Sequence, residues 1–428
     1  MSTVVFVPGS RHPFRLALLL GLSATALGLT ACGDPKSSEP VLEGIGIASP
    51  ALAIVHSDYA TSRLSLYRPA DGRLVDACTG STSADPGLVQ PLSGDVGLPT
   101  QPKPGGELVL IDSGSSVVTF LNPSTCAARG QVSVSTGGFK AYPHDVVTVS
   151  EHKAYVTRSA LNAKATVDPG DFDDGDDLLI IDPTALTVLG RISMSADAAP
   201  GPMGEVTQAR PDRAVLVGTT VYVTLNSINA DFSATGEGRV AVINTVTDTV
   251  TGTIALPAQK NCSGLNYVAA TKKLYVSCGG AFSDLDMVGE AALVELDLTT
   301  ATPVVSKTIA ASQLGALPIN FAYNAVLADA AFVGTMGTKA DPFGTVDAPD
   351  RFFRVSLATG EAKLVAEGAA YNLGSAAVDK GTGRVFLPDA DAATPRIRVF
   401  TAAGEPAVPA DFDSNPSAHL PPRGLAWY

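Results

Sequence analysis

His144, Asp145, Asp212, Arg213, Asn320, Asn372 and Arg423 are the residues whose types and spacing could bring chemistry to one point in this chain. Most follow within two positions of a proline that opens a short apolar strand. If those strands run side by side along a channel, the polar groups meet at one mouth. Imidazole, carboxylate, guanidinium and amide groups converging on a concavity are the usual make-up of a ligand site. They could equally bond one another and channel water, holding the strands in register. Of the five histidines, His144 alone is placed for acid–base or metal chemistry. His12 lies in an N-terminal leader, His152 at an expected turn, and His56 inside a strand where a structural role is expected.

A second cluster, Asp168, Asp171, Asp173, Asp174, Asp176 and Asp177, falls in an expected loop from Asn162 to Asp177. Carboxylate oxygens are what Ca²⁺ prefers, and Asp171, Asp173 and Asp176 are the candidate ligands. Gly175 stands where an EF-hand would need a further acidic ligand, so the loop does not follow that template. The chain has no Cys-x-x-Cys-His, no G-x-S-x-G and no H-E-x-x-H, which removes c-type haem and two familiar hydrolase motifs. Trp427 is the single tryptophan.

The elements that must position these residues repeat. Ala214-Val215-Leu216-Val217, Val221-Tyr222-Val223-Thr224, Val240-Ala241-Val242-Ile243-Asn244 and Val250-Thr251-Gly252-Thr253-Ile254 read as four short strands in a meander. The same order returns at 143–193, 262–309, 318–366 and 371–408, and earlier through Leu108 to Asp112 and Leu52 to His56. About seven units, each too small to bury its own faces, predict a seven-bladed β-propeller over residues 51–428. The first unit lacks an opening strand and the last seven residues, Pro422 to Tyr428, have no successor. They are therefore expected to supply that strand and latch the ring, removing two exposed edges. On Val221-Tyr222-Val223-Thr224-Leu225-Asn226 and Val240 to Val250 the chain resembles the YVTN-type β-propeller repeat family, a resemblance that implies architecture far more than chemistry.

Arg11, His12 and Arg15 precede an apolar run from Leu16 to Gly28, and Leu29-Thr30-Ala31-Cys32 resembles a bacterial lipobox. Residues 1–31 then read as a lipoprotein signal peptide, Cys32 as the lipidated N-terminus, and 32–50 as a flexible tether. Gly33 after the cysteine points to an outer-membrane or other cell-envelope location, with the domain outside the cytoplasm. The net charge of −13 becomes −15 once residues 1–31, with two arginines and no acids, are removed; nucleic acid is an unsuitable partner. The expectation is a monomeric binding or scaffolding module for an envelope protein, peptide or glycan, held to the membrane only by its lipid. The alternative is a metal-dependent lactone hydrolase or lyase-like enzyme at the channel mouth.

An exported domain is oxidised. Folding 262–278 into a hairpin at Ala270 to Lys272 places opposite one another residues whose numbers sum to about 540. Cys262 and Cys278 satisfy that sum and should be bridged. Cys78 and Cys126 remain for each other, though one is read as ending an outer strand and the other as beginning one, at heights that disagree.

Overall fold

A computed structural model describes residues 46–428, apart from 137, 167–169, 171, 282–286, 301, 340–345, 370–371 and 409–410. Residues 1–31, read as a signal peptide, Cys32 and most of the stretch read as a tether lie outside the described residues. Seven antiparallel sheets follow one another as blades of a β-propeller. Blade 1 is Pro422–Trp427, Leu52–Ser57, Ser62–Arg68 and Arg73–Gly80, from inner to outer strand. Blade 2 opens with only Val96–Gly97, then Leu108–Asp112, Val117–Asn122 and Ala127–Ser133. Blade 3 (Pro143–Ser150, Lys153–Leu161, Gly175–Asp182, Thr187–Ser193), blade 4 (Pro211–Val217, Thr220–Leu225, Glu237–Asn244, Thr249–Lys260) and blade 5 (Cys262–Val268, Lys273–Gly279, Ala291–Asp297, Val304–Ala310) are complete meanders. Blade 6 (Ile319–Val326, Ala330–Thr335, Arg351–Ser356, Ala362–Glu367) carries a side hairpin, Thr338–Lys339 with Val346–Ala348. Among the described residues blade 7 has three strands, Ala377–Val378, Val385–Asp389 and Arg396–Phe400, and where a fourth is expected there are isolated bridges from Ile397 to Phe412 and Phe400 to Pro406.

The apolar core is divided into wedges, one between each pair of neighbouring blades. Because side chains alternate along a strand, one strand feeds two wedges. In blade 4, Val221, Val223 and Leu225 pack toward blade 3, whereas Tyr222 packs toward blade 5. Both faces are covered, so these strands read as unbroken apolar runs. Burial of each such side chain is worth about 1.5–3 kcal/mol.

The ring closes as expected. Leu52 to Val55 pair with Trp427 to Gly424, and His56 pairs with Pro422 past a bulge. Tyr428 donates its hydroxyl to Ile47 O at 2.8 Å, its carbonyl accepts from Ser49 Oγ at 2.8 Å, and its N–H bonds Ala51 O. Ile47 is fully buried and donates to Pro123 O, so the chain is packed from Gly46 onward, within the stretch read as tether.

Both disulfides are formed, which suits folding in an oxidising compartment. Cys262 faces Cys278, but beyond a bulge at Ser263 the hairpin runs Gly264↔Ser277 to Val268↔Lys273. The expected sum therefore holds at the cysteines and is one higher along the rest of the strand. Gly238 is required beside this bridge, since a Cβ there would stand 2.2 Å from Cys262 Sγ. Cys78–Cys126 overturns the objection about height: the partners of Leu64 and Leu66 are Thr79 and Val75, so Cys78 lies in a wide bulge that carries it toward blade 2.

His56 is completely buried; its Nδ1–H donates to Leu420 O at 3.0 Å, and desolvation brings its pKa down to about 4. The unfolded chain thus binds the proton first. The stability His56 contributes is full above about pH 6.5 and is lost as pH falls toward 4, by up to about 3 kcal/mol. Urea unfolding at pH 7 and pH 4.5 should show this loss in the wild type and a smaller one in His56→Gln; equal losses would refute it.

Candidate functional site

The turns into the inner strands of blades 3, 4 and 5 share one conformation. Tyr142, Arg210 and Asn261 sit at φ +45°, +47° and +50°, and the residue after next, His144, Asp212 or Ser263, comes to the mouth. The same three blades share a staple. Thr157 Oγ1 accepts from Asp145 N and donates to Asp212 O, and one blade on Thr224 Oγ1 accepts from Arg213 N and donates to Ser263 O. Each hydroxyl thereby fixes the height of the next blade's mouth residue.

Those residues form a chain across blades. His144 Nδ1 lies 3.1 Å from Asp212 Oδ1, and Asp212 Oδ2 accepts the Ser263 hydroxyl. Two residues from neighbouring second strands brace the chain. Ser159 Oγ is 3.3 Å from His144 Nε2, and Asn226 Nδ2 donates to Asn261 Oδ1 at 2.8 Å and Ser263 Oγ at 3.0 Å. Burial alone would raise the Asp212 pKa, but His144, Arg213 and the Ser263 hydroxyl outweigh it and hold the carboxyl well below the usual range. The Asp212 carboxylate accepts from His144 Nδ1–H, which orients the imidazole with Nε2 toward Ser159.

The other expected mouth residues separate into three positions. Asp145 is fully buried, and its oxygens accept the backbone N–H groups of Thr100, Val146 and Ala214. Arg213 Nη1 donates to His144 O at 2.8 Å and Leu98 O at 3.3 Å. Arg423 donates to Ser57 O and stacks over the Tyr59 ring at 4.8 Å. A cavity of about 280 Å³ is lined by His144, Asp212, Arg213 and Arg423, and a neighbour of about 320 Å³ by Asn320, Asn372 and Arg423. Asn372 also donates to Asp389.

A strap that the repeat pattern does not reveal runs beside these residues. After its two-residue inner strand, blade 2 sends Leu98 to Pro102 along the channel. There the Gln101 amide grips both backbone groups of Leu216, at 2.7 and 3.3 Å, and Thr100 N reaches Asp145. A third cavity, of about 440 Å³, lies on this side and is lined by the strap, Trp427 and Lys380.

Of the acidic loop, Asp168 and Asp171 lie outside the described residues. Asp173 accepts Thr166 N, while Asp176 accepts Ala209 N and Arg210 N. Asp174 pairs with Arg191 at 2.9 Å, and Asp177 pairs with Arg158. Among the described residues no three metal-ligating side chains come together. His152 is exposed near Asp182, as its expected turn position suggests.

Solved structures share this fold at low sequence identity. A Bacteroides uniformis protein provisionally described as a 6-phosphogluconolactonase has a TM-score of 0.53 at 13% identity, covering 89% of this chain and 99% of that one. A Bacteroides fragilis protein of the same description also gives 0.53, at 11% identity over 92% and 100%. The β-propeller domain of Cps50 (Swd1) from Myceliophteria thermophila gives 0.53 at 11% identity over 83% and 98%. No protein-family model and no curated protein matches the chain. At these identities the likeness is one of fold, and that fold serves both binding and catalysis. No described helix is long and apolar enough to cross a membrane.

Proposed function

We propose that this chain is a lipid-anchored cell-envelope propeller of the YVTN-repeat type that binds a peptide, protein or glycan at the His144 mouth. The observation that carries the reading is the pair of adjacent cavities sharing Arg423. They open among connections between second and third strands, with Tyr59, Ser113, Met336 and Asp350 of those connections in their walls. A rigid ring displaying loops is the usual platform for recognition. Cys32 would tie this platform to the envelope, because diacylglycerol plus a further acyl chain gives stable membrane retention.

Two measurements test the reading. In the producing cell, Cys32→Ala should shift the protein from the membrane fraction to a soluble or uncleaved form; mature-length protein that stays in the membrane would refute the anchor. For the mouth, residues 46–428 should select ligands from peptide and glycan arrays, and Arg423→Gln should weaken the best of them about tenfold without lowering the melting temperature. Binding that ignores Arg423→Gln would move the site elsewhere. Metal analysis of the same preparation addresses the metal-dependent lactone hydrolase or lyase alternative and calcium at the Asp171, Asp173 and Asp176 loop.

A further inference from the structure

We propose that Ser159, His144 and Asp212 constitute a nucleophilic triad that hydrolyses a small carboxylic ester at the channel mouth. The proposal rests on that mouth being a ligand site and adds a reaction to it. Its basis is geometric. Asp212 Oδ1 stands 3.1 Å from His144 Nδ1, and His144 Nε2 stands 3.3 Å from Ser159 Oγ, the order of acid, base and nucleophile required to activate a hydroxyl. Such bonds are often long before substrate arrives. The Ser159 hydroxyl also reaches Tyr142 O at 3.1 Å, so rotation about one bond moves its proton between a resting acceptor and the base.

Comparison with the next blade separates this rung from plain scaffolding. The same positions in blade 4 hold Asp212, Asn226 and Ser263, which bond one another as carboxylate, amide and hydroxyl with no base among them. Blade 3 puts an imidazole and a hydroxyl where a structural rung would need only an amide. Asp212 is deeply buried, whereas the His144 side chain is 36% exposed and Tyr142 is 43% exposed beside it. Ser159 itself is 6% exposed, so a substrate must come in along the imidazole and Tyr142. The cavity of about 280 Å³ is bounded by Asp212 and by Tyr142 and His144, which adjoin Ser159, and Arg213 and Arg423 in its wall offer positive charge to a developing oxyanion.

In the reaction, Ser159 Oγ attacks the ester carbonyl carbon while its proton passes to His144 Nε2. The carbon–oxygen bond to the alcohol then breaks, and the alcohol leaves with that proton. Water, deprotonated by the same nitrogen, attacks the acyl-serine, releasing the carboxylic acid and restoring the hydroxyl. Asp212 keeps Nδ1–H oriented and opposes the imidazolium charge.

The test uses residues 46–428 with both disulfides intact. A fluorophosphonate probe should add one phosphonyl group, mapped by mass spectrometry to the peptide containing Ser159, and p-nitrophenyl acetate should be turned over. Ser159→Ala should abolish both, and His144→Gln should slow both at least a hundredfold. Ser159→Cys keeps the local shape, and its thiol should react with iodoacetamide at pH 7 at least tenfold faster than the same thiol in the His144→Gln background. Absence of labelling in the wild type, labelling that survives Ser159→Ala, or a thiol in Ser159→Cys whose reactivity is indifferent to His144 would overturn the triad. Array binding retained by Ser159→Ala would then show that the mouth is a ligand site without chemistry, whereas labelling without any array ligand would fail the binding reading alone.

Discussion

Deleting residues 423–428 should lower the melting temperature of the domain by on the order of 10 °C or more and broaden the transition. The deletion strips Leu52 to Val55 of their partners and leaves that strand as an unpaired edge at the inside of blade 1. It also removes the buried side chains of Leu425 and Tyr428, each worth about 1.5–3 kcal/mol. Tyr428 further holds Ile47 and Ser49, so the start of the domain is released along with its end. Trp427 packs edge-on against Phe386 of blade 7, and that contact goes too. Calorimetry of the truncated protein decides the matter, with removal of residues 33–39 as the control that should leave the melt in place. An unaltered melt in the first protein would mean that the ring does not depend on its latch.

Asp177→Asn should cost about 3–5 kcal/mol, because it strands a guanidinium in the interior. Arg158 and Asp177 are both fully buried and meet through two parallel bonds, Nε to Oδ1 at 2.7 Å and Nη2 to Oδ2 at 2.6 Å. Two further N–H groups of Arg158 donate to Val134 O at 3.0 Å and Phe172 O at 2.8 Å. The pair thus ties the second and third strands of blade 3 to the blade 2 connection. Replacing both residues, as Arg158→Met with Asp177→Leu, should recover most of the loss, since an apolar pair leaves no charge unpaired. Denaturant titration of the single and double variants measures the difference. A single variant within about 1 kcal/mol of wild type would show that water reaches the guanidinium.

The blades were legible because alternation along each strand feeds two apolar wedges, leaving runs such as Val221 to Leu225 with a period that only a doubly covered sheet explains. The latch was legible because an unpaired strand at each end must go somewhere. Bulges were not, since alternation says nothing of a residue inserted on one side. That is why the register of 262–278 shifts after the cysteines and why Cys78 reaches Cys126. At the mouth, residues one element away from the inner strand went unread. Tyr155-Val156-Thr157-Arg158-Ser159 and Tyr222-Val223-Thr224-Leu225-Asn226 occupy equivalent places, and aligning them would have set Ser159 beside Asn226 as a bracing residue. Arg158 lay hidden because a charge inside an apolar run reads as surface until its partner is known. The short inner strand of blade 2 gave no sign that Leu98 to Pro102 would leave the sheet for the channel.

Leu98, Arg213 and Leu425 line both the cavity at the His144 mouth and the one beyond the strap, so the two spaces share one wall. A ligand that displaced any of these three side chains in one cavity would reshape the wall of the other. A second macromolecule resting on the loops around the His144 mouth would in addition act as a stopper there. It would slow arrival and departure alike while leaving the ratio of the two, and hence the intrinsic affinity, as it was.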